Sequence, residues 1–207
     1  MPKVSQQYRD ARRDQILNAA RRCFLRDGFH GTSMQDLFAE AGLSSGAVYR
    51  YFASKDDMIV AIAEENMRGV AEMIHAAAGQ PGRSAGAVLA DVLETVRARD
   101  AENGLGQIAL LVWAESLRSP SIAERLRAMV TQIRAGLAEV ASAHQGSAGL
   151  PGDISADEFA AVLFSIIPGY ILQLALLGPA AAEEVPAALR ALSPAPPPSS
   201  SAASPTQ

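Results

Sequence analysis

Apolar positions along this chain recur at intervals of three and four, and strand-like alternation is nearly absent, so the predicted fold class is all-α. Ile16, Ala20, Cys23 and Phe24 mark one face of a first helix running from Arg12 to Asp27 and stopped by Gly28. Two short signals follow. Ser33, with Asp36 three residues on, has the pattern of a reciprocal cap and starts a helix near Met34; Leu37 and Ala41 share its inner face. Gly42 supplies a residue tolerant of positive φ where the chain must turn. Ser44 caps the next helix, with Val48 and Phe52 four apart as its buried stripe. Ser54, with Asp57 at the same offset, opens a long helix over 55–78. Beyond it the pattern predicts helices at about 84–100, 104–118, 120–144 and 155–178, separated by turn signals at 79–82, 119–120 and 146–152.

This divides the chain into a small N-terminal domain, 1–54, a larger helical domain, 55–192, and a tail, 193–207. The tail holds five prolines and five serines without a charge, so it cannot bury a core and is expected to be disordered. The N-terminus is polar and charged, with no apolar run of the kind that opens a secretory signal.

Residues 28–57 carry the most chemistry. Two short helices joined by a glycine turn have the spacing that lays a helix in the major groove of DNA. Ser45, Gly46, Tyr49 and Arg50 fall on the side opposite Val48 and Phe52 and are free to meet a duplex. Arg50 and Gln35 can make bidentate base contacts, Ser45 can bond several base edges, and Ala47 can touch a thymine methyl. Gly46 has no side chain with which to read a base, but lets the backbone come close. So sparse a set leans partly on DNA shape for specificity. Lys55 opposes the dipole of its own helix, so a charge partner outside that helix is expected, and a phosphate fits.

Charge sharpens this reading. The chain is acidic overall, at −4, yet residues 1–26 carry seven basic against two acidic side chains. A basic front on an acidic body suits an oriented encounter with a phosphate backbone, although Arg21 and Arg22 are explained as a solvated helix face. Cys23, the single cysteine, falls on an apolar face and reads as a small buried hydrophobe; without a second cysteine no intramolecular disulfide forms, which is consistent with a cytoplasmic protein. Enzyme chemistry has no support. His30, His75 and His144 lack metal-ligand spacing, no nucleophile elbow, phosphate loop or dinucleotide fingerprint occurs, and the adjacent pairs Asp56-Asp57 and Glu64-Glu65 point apart on a helix. No cofactor or metal is implied.

The stretch resembles the DNA-binding domain of the TetR family of transcriptional regulators. Gly28-Phe29, Thr32-Ser33, Ala41-Gly42-Leu43, Ser44, Gly46, Tyr49, Tyr51-Phe52 and Ser54-Lys55 carry the resemblance over roughly residues 12–60. It implies a three-helix helix-turn-helix domain followed by a helical ligand-binding and dimerisation domain. Ser33 would cap beside the DNA backbone, Ser44, Ser45, Gly46, Ala47 and Arg50 would face the groove, Tyr49 and Lys55 would grip phosphates, and Gln35 would add a contact. Phe38 departs from the pattern, standing where alanine is common in the family. The resemblance further implies a homodimer paired through the helices at 120–144 and 155–178 as a four-helix bundle, most often a repressor. Two-fold symmetry then places two reading helices ~34–36 Å apart, or a multiple of that, so the operator is a near-palindrome. A ligand would tilt the 55–78 helix and change that spacing.

Two features remain. Residues 159–182 run for 24 positions without a charge, long enough to span a bilayer, which leaves a membrane-associated or interaction protein as the alternative. Ser165, Pro168, Gly169, Tyr170 and Gln173 within the run, and the absence of flanking Lys/Arg clusters, favour a helix buried by its own domain on one side and by a partner on the other. Pro168 is expected to kink it. The second feature is a store of large apolar residues: Met67, Val70, Met73 and Ile74, then Leu110, Val112 and Trp113, then Phe164 and Tyr170. Core packing accounts for most; a subset is expected to line an apolar pocket for a small, mostly hydrophobic effector, with Glu115, Gln107, His75 or Gln173 as its polar groups.

Overall fold

Helix caps set the elements. A computed structural model describes residues 5–78, 83–143 and 154–192, and within them no strand occurs. The order is α1 (Gln6–Gly31), α2 (Met34–Ala41), α3 (Ser45–Tyr49), α4 (Lys55–Ala78), α5 (Ala85–Asn103), α6 (Leu105–Ser116), α7 (Pro120–Ala143), α8 (Ala156–Leu177), a 3-10 turn (Pro179–Ala182) and α9 (Val185–Leu192). The expected loops at 79–82 and 146–152, His144 and the tail at 193–207 lie outside the described residues.

Ser33 accepts the Asp36 N–H at 3.2 Å while Asp36 Oδ2 accepts the Ser33 N–H at 2.8 Å, closing the reciprocal cap of α2. Gly42 ends α2 at φ 65°. Ser54 and Asp57 repeat the pattern at α4, where the Asp57 N–H reaches Ser54 Oγ at 3.1 Å. α1 differs from expectation at both ends. Ser5 caps it, accepting from the Tyr8 N–H, so it starts six residues before Arg12; Gly28, at φ 73°, kinks the chain and one more turn reaches Gly31. The stretch 179–192, for which no helix was expected, folds as the 3-10 turn and α9. α9 buries Leu189, and Arg190 bonds Asp91 and Glu94 of α5 at 2.8 and 2.9 Å. A tertiary contact with a helix nearly a hundred residues earlier holds an eight-residue segment too short to be stable alone.

Two apolar cores result. The first joins Leu17 and Phe24 of α1, Leu37 of α2, Val48, Phe52 and residues 58–63 of α4, and also Ile108 and Val112 of α6 and Ile122 of α7. Residue 54 therefore precedes α4 but does not bound a packing unit, because the N-terminal half of α4 belongs to the first core. The second core joins Val70 and Ile74 with α5, Ile133 and Leu137 of α7, and the inner face of α8. Each fully buried Leu, Ile or Phe in these cores contributes roughly 1.5–3 kcal/mol. α4 thus has one end in each core, a geometry that ties the first three helices to the rest. Within α8, helix continues on both sides of Pro168, as one element to Leu177.

Candidate nucleic-acid interface and internal cavity

The first three helices present one bare face. Ser44, Ser45, Gly46, Tyr49 and Arg50 are exposed, Ala47 is half-buried, and Val48 is fully buried beneath them. Gln35 on α2 and Ser33, which caps it, are exposed beside this surface. A Cβ at Gly46 would meet nothing within 4 Å, and its φ is ordinary, so no internal contact requires glycine there. Phe38 lies edge-on to Tyr49, ring centroids 5.4 Å apart; the departure from alanine thus supplies a wall that fixes the tyrosine ring at the surface.

Lys55 is engaged within the protein. Its ammonium donates to the carbonyls of Phe29 at 2.8 Å and Thr32 at 3.0 Å and lies 4.6 Å from the centre of the Phe29 ring. The charge partner outside its own helix is the carbonyl end of α1, and in this structure Lys55 staples the α1–α2 turn to α4. The N-terminal arginines are also partly committed. Arg22 and Arg26 pair with Glu40, holding its carboxyl below the usual range, and Arg21 pairs with Glu65. Arg22 and Arg21 thus join α1 to α2 and to α4, beyond the solvated face expected of them. Cys23 is fully buried, and burial pushes its thiol up.

A cavity of about 340 Å³ lies between α4, α5, α6, α7 and α8. α4 contributes Ala63, Asn66, Met67 and Val70; α6 contributes Leu105, Ile108, Ala109, Val112 and Trp113; α8 contributes Phe164, Ile167, Pro168 and Ile171. Of the expected lining, Met67, Val70, Val112, Trp113 and Phe164 are in the wall. Met73, Ile74, Leu110 and Tyr170 are not. Ile74 continues the correct face of α4 but one turn past the cavity, in the second core, and Met73 beside it accepts from the Thr95 hydroxyl at 3.8 Å. Leu110 is off the face defined by 105, 108, 109 and 112. Tyr170 is 1% exposed in the second core, its hydroxyl unpartnered among the described residues, and burial pushes the phenol up.

None of the expected polar groups reaches the wall. Gln107 and His75 are exposed, Gln173 is half-buried elsewhere, and the buried Glu115 lies 2.8 Å from His30 Nε2. Asn66 is a wall residue that the sequence does not announce: it follows the polar pair Glu64-Glu65, and only its phase, three before Gly69 and four before Val70, sets it on the cavity side of α4.

Residues 16–62 match the model of the bacterial regulatory proteins, tetR family, and residues 85–193 match that of the BetI-type transcriptional repressor, C-terminal. The chain belongs to the TetR family. In this TetR-family chain the first match spans the reading helices and the start of α4, and the second spans α5 to α9. The HTH-type transcriptional regulator UidR of Escherichia coli is 30% identical over 148 residues, 70% of each chain. The uncharacterized regulator YfiR of Bacillus subtilis is 42% identical over 66 residues, 32% of each. Across the first curated relatives, the match spans about a third of their length. The solved structure of Salmonella enterica GusR superposes with a TM-score of 0.72 at 25% identity, covering 92% of this chain and 98% of that one.

Proposed function

We propose that this TetR-family protein is a cytoplasmic transcriptional repressor that binds a palindromic operator as a homodimer and is released by a small, mostly hydrophobic ligand. The observation that carries the reading is the bare face of α3, with Tyr49 and Arg50 exposed over the buried Val48. Arg50 and Gln35 read base edges, Ser44 and Ser45 bond in the groove, Ala47 touches a thymine methyl, and Gly46 admits the DNA backbone. Tyr49 and Ser33 meet phosphate. Lys55 acts on DNA through the turn it staples.

The outer face of α8 supports a dimer. Val162, Ser165, Gly169, Leu172 and Leu176 are all exposed and follow one another at intervals of three and four, the repeat of a helix–helix seam. A Cβ at Gly169 would meet nothing within 4 Å, which leaves room for close approach of a second helix. α7 presents Ala128, Thr131 and Ala135, small and exposed at the same spacing. α8 is long and apolar enough to cross a membrane, with mean hydropathy 2.1, but its inner face is packed in protein and its outer face carries serine and glycine at the centre. A second copy covers such a face better than lipid.

Release follows from where the cavity lies. α4 and α6 line it and both also enter the first core, so a ligand that prefers one arrangement of these helices shifts the spacing of the two reading heads. The reading is tested by incubating purified protein with sheared genomic DNA from its source. Recovery of a few loci sharing an inverted repeat is expected; uniform recovery contradicts it.

A further inference from the structure

We infer that the cavity selects an uncharged ligand, an apolar molecule carrying a single hydroxyl or carbonyl that bonds Asn66. The inference rests on the effector reading above and names the chemical class of the effector. Among the described residues, the wall contains no ionisable side chain. Its hydrogen-bonding side chains are the carboxamide of Asn66 and the indole N–H of Trp113, and neither makes a side-chain hydrogen bond among the described residues. A carboxamide both donates and accepts, so it serves an alcohol or a carbonyl equally.

The charges nearby are spent or outside. Arg99 turns its guanidinium onto the Asn66 main-chain carbonyl at 2.8 Å and packs over Gly69, so its charge is held against the backbone of α4. Arg125 pairs with Glu64 at 2.7 Å and Asp57 at 3.6 Å in a separate groove between α4 and α7. An anionic or cationic ligand group in the cavity would lose its hydration without gaining a counter-charge. A hydroxyl loses less and recovers it at Asn66.

Pro168 adds to this. It has no N–H, so the carbonyl of Phe164 lacks its donor four residues on, and both residues stand in the wall. The backbone of α8 is thus one hydrogen bond short at the cavity wall.

Trp113 is the only tryptophan in the chain and lines the cavity, so its emission reports occupancy without any DNA present. Purified full-length protein is titrated with 1-octanol, octanoate and octyltrimethylammonium, three probes of matched apolar length. Octanol is expected to shift the emission saturably, with the two ions needing at least about tenfold higher concentration. Asn66→Leu, checked as folded by circular dichroism, is expected to weaken octanol about threefold to tenfold. Asn66→Asp is expected to turn the preference toward the ammonium, and Ala109→Phe, which fills the cavity, to remove the response to all three. Octanoate or the ammonium binding wild type as tightly as octanol overturns the inference while leaving an effector cavity in place. Absence of any saturable response overturns both the inference and the cavity's role, and neither result bears on whether α3 reads DNA.

Discussion

His30 Nε2 lies 2.8 Å from Glu115 Oε1, so the last turn of α1 is joined to the C-terminal end of α6, the helix that supplies Trp113 and Val112 to the cavity. Glu115 is 8% exposed, and its carboxylate pairs with His30. His30→Ala leaves that carboxylate buried and unpaired and is expected to lower stability by about 1–3 kcal/mol. Thermal unfolding of the variant against wild type checks this. The same variant is expected to show a smaller loss of operator affinity on ligand binding, because a link between cavity and reading head is gone. An unchanged midpoint together with unchanged coupling refutes this role for the pair.

Lys55 and Tyr49 separate support of the reading head from the proposed contact with DNA. Lys55→Ala removes two hydrogen bonds to main-chain carbonyls and is expected to cost about 1–3 kcal/mol in denaturant unfolding, with DNA binding weakened alike on all sequences. Tyr49→Phe keeps the ring against Phe38 and is expected to change stability by less than about 0.5 kcal/mol while still weakening DNA binding. If Lys55→Ala unfolds at the wild-type denaturant concentration, its staple is not what holds the α1–α2 turn.

The cap of α2 carries a pH signature. The hydroxyl and N–H of Ser33 hold the Asp36 carboxyl below its ordinary value of 3.8. A carboxyl whose folded pKa is depressed stabilises the fold above its unfolded pKa, and that contribution fades as pH falls through the folded value. Asp36→Ala is therefore expected to melt below wild type at pH 7, with the gap closing under acid below pH 3.8. Melting curves across that range decide it; a gap that persists undiminished into strong acid rules out the charged cap as its source.

Gly46 and Gly169 are the two glycines whose absent side chains face open space on proposed contact surfaces. Gly46→Ala is expected to raise stability by up to roughly 0.5–1 kcal/mol, since alanine suits a helix better, and yet to weaken DNA binding. Leu172→Asp on α8 is expected to yield a folded monomer by sedimentation, with binding to the palindrome lost through loss of the second reading head. A dimer that survives Leu172→Asp places the seam elsewhere.

What was legible in the sequence was local. Ser33-Asp36, Gly42, Ser44 and Ser54-Asp57 announce helix ends through bonds spanning three or four residues, and each forms as expected. What was not legible depends on contacts distant in the chain. The partner of Lys55 lies 23 and 26 residues away, and Arg190 reaches α5 across 96 and 99 residues, so neither the staple nor α9 has a local signature. The cavity was half legible for a related reason. Helical phase selects the face of α4 that carries Met67 and Val70, but the depth at which that face leaves the cavity and enters the core at Ile74 is set by α5 and α7.

Selection of duplexes from a random pool by the purified protein tests the central claim most directly. The account predicts enrichment of an inverted repeat with half-site centres about 10 base pairs apart or a multiple of that, affinity falling steeply with salt, and preference relaxed at one position of each half-site in Arg50→Ala. Recovery of no shared sequence, or of the same sequence at full strength by Arg50→Ala, contradicts it.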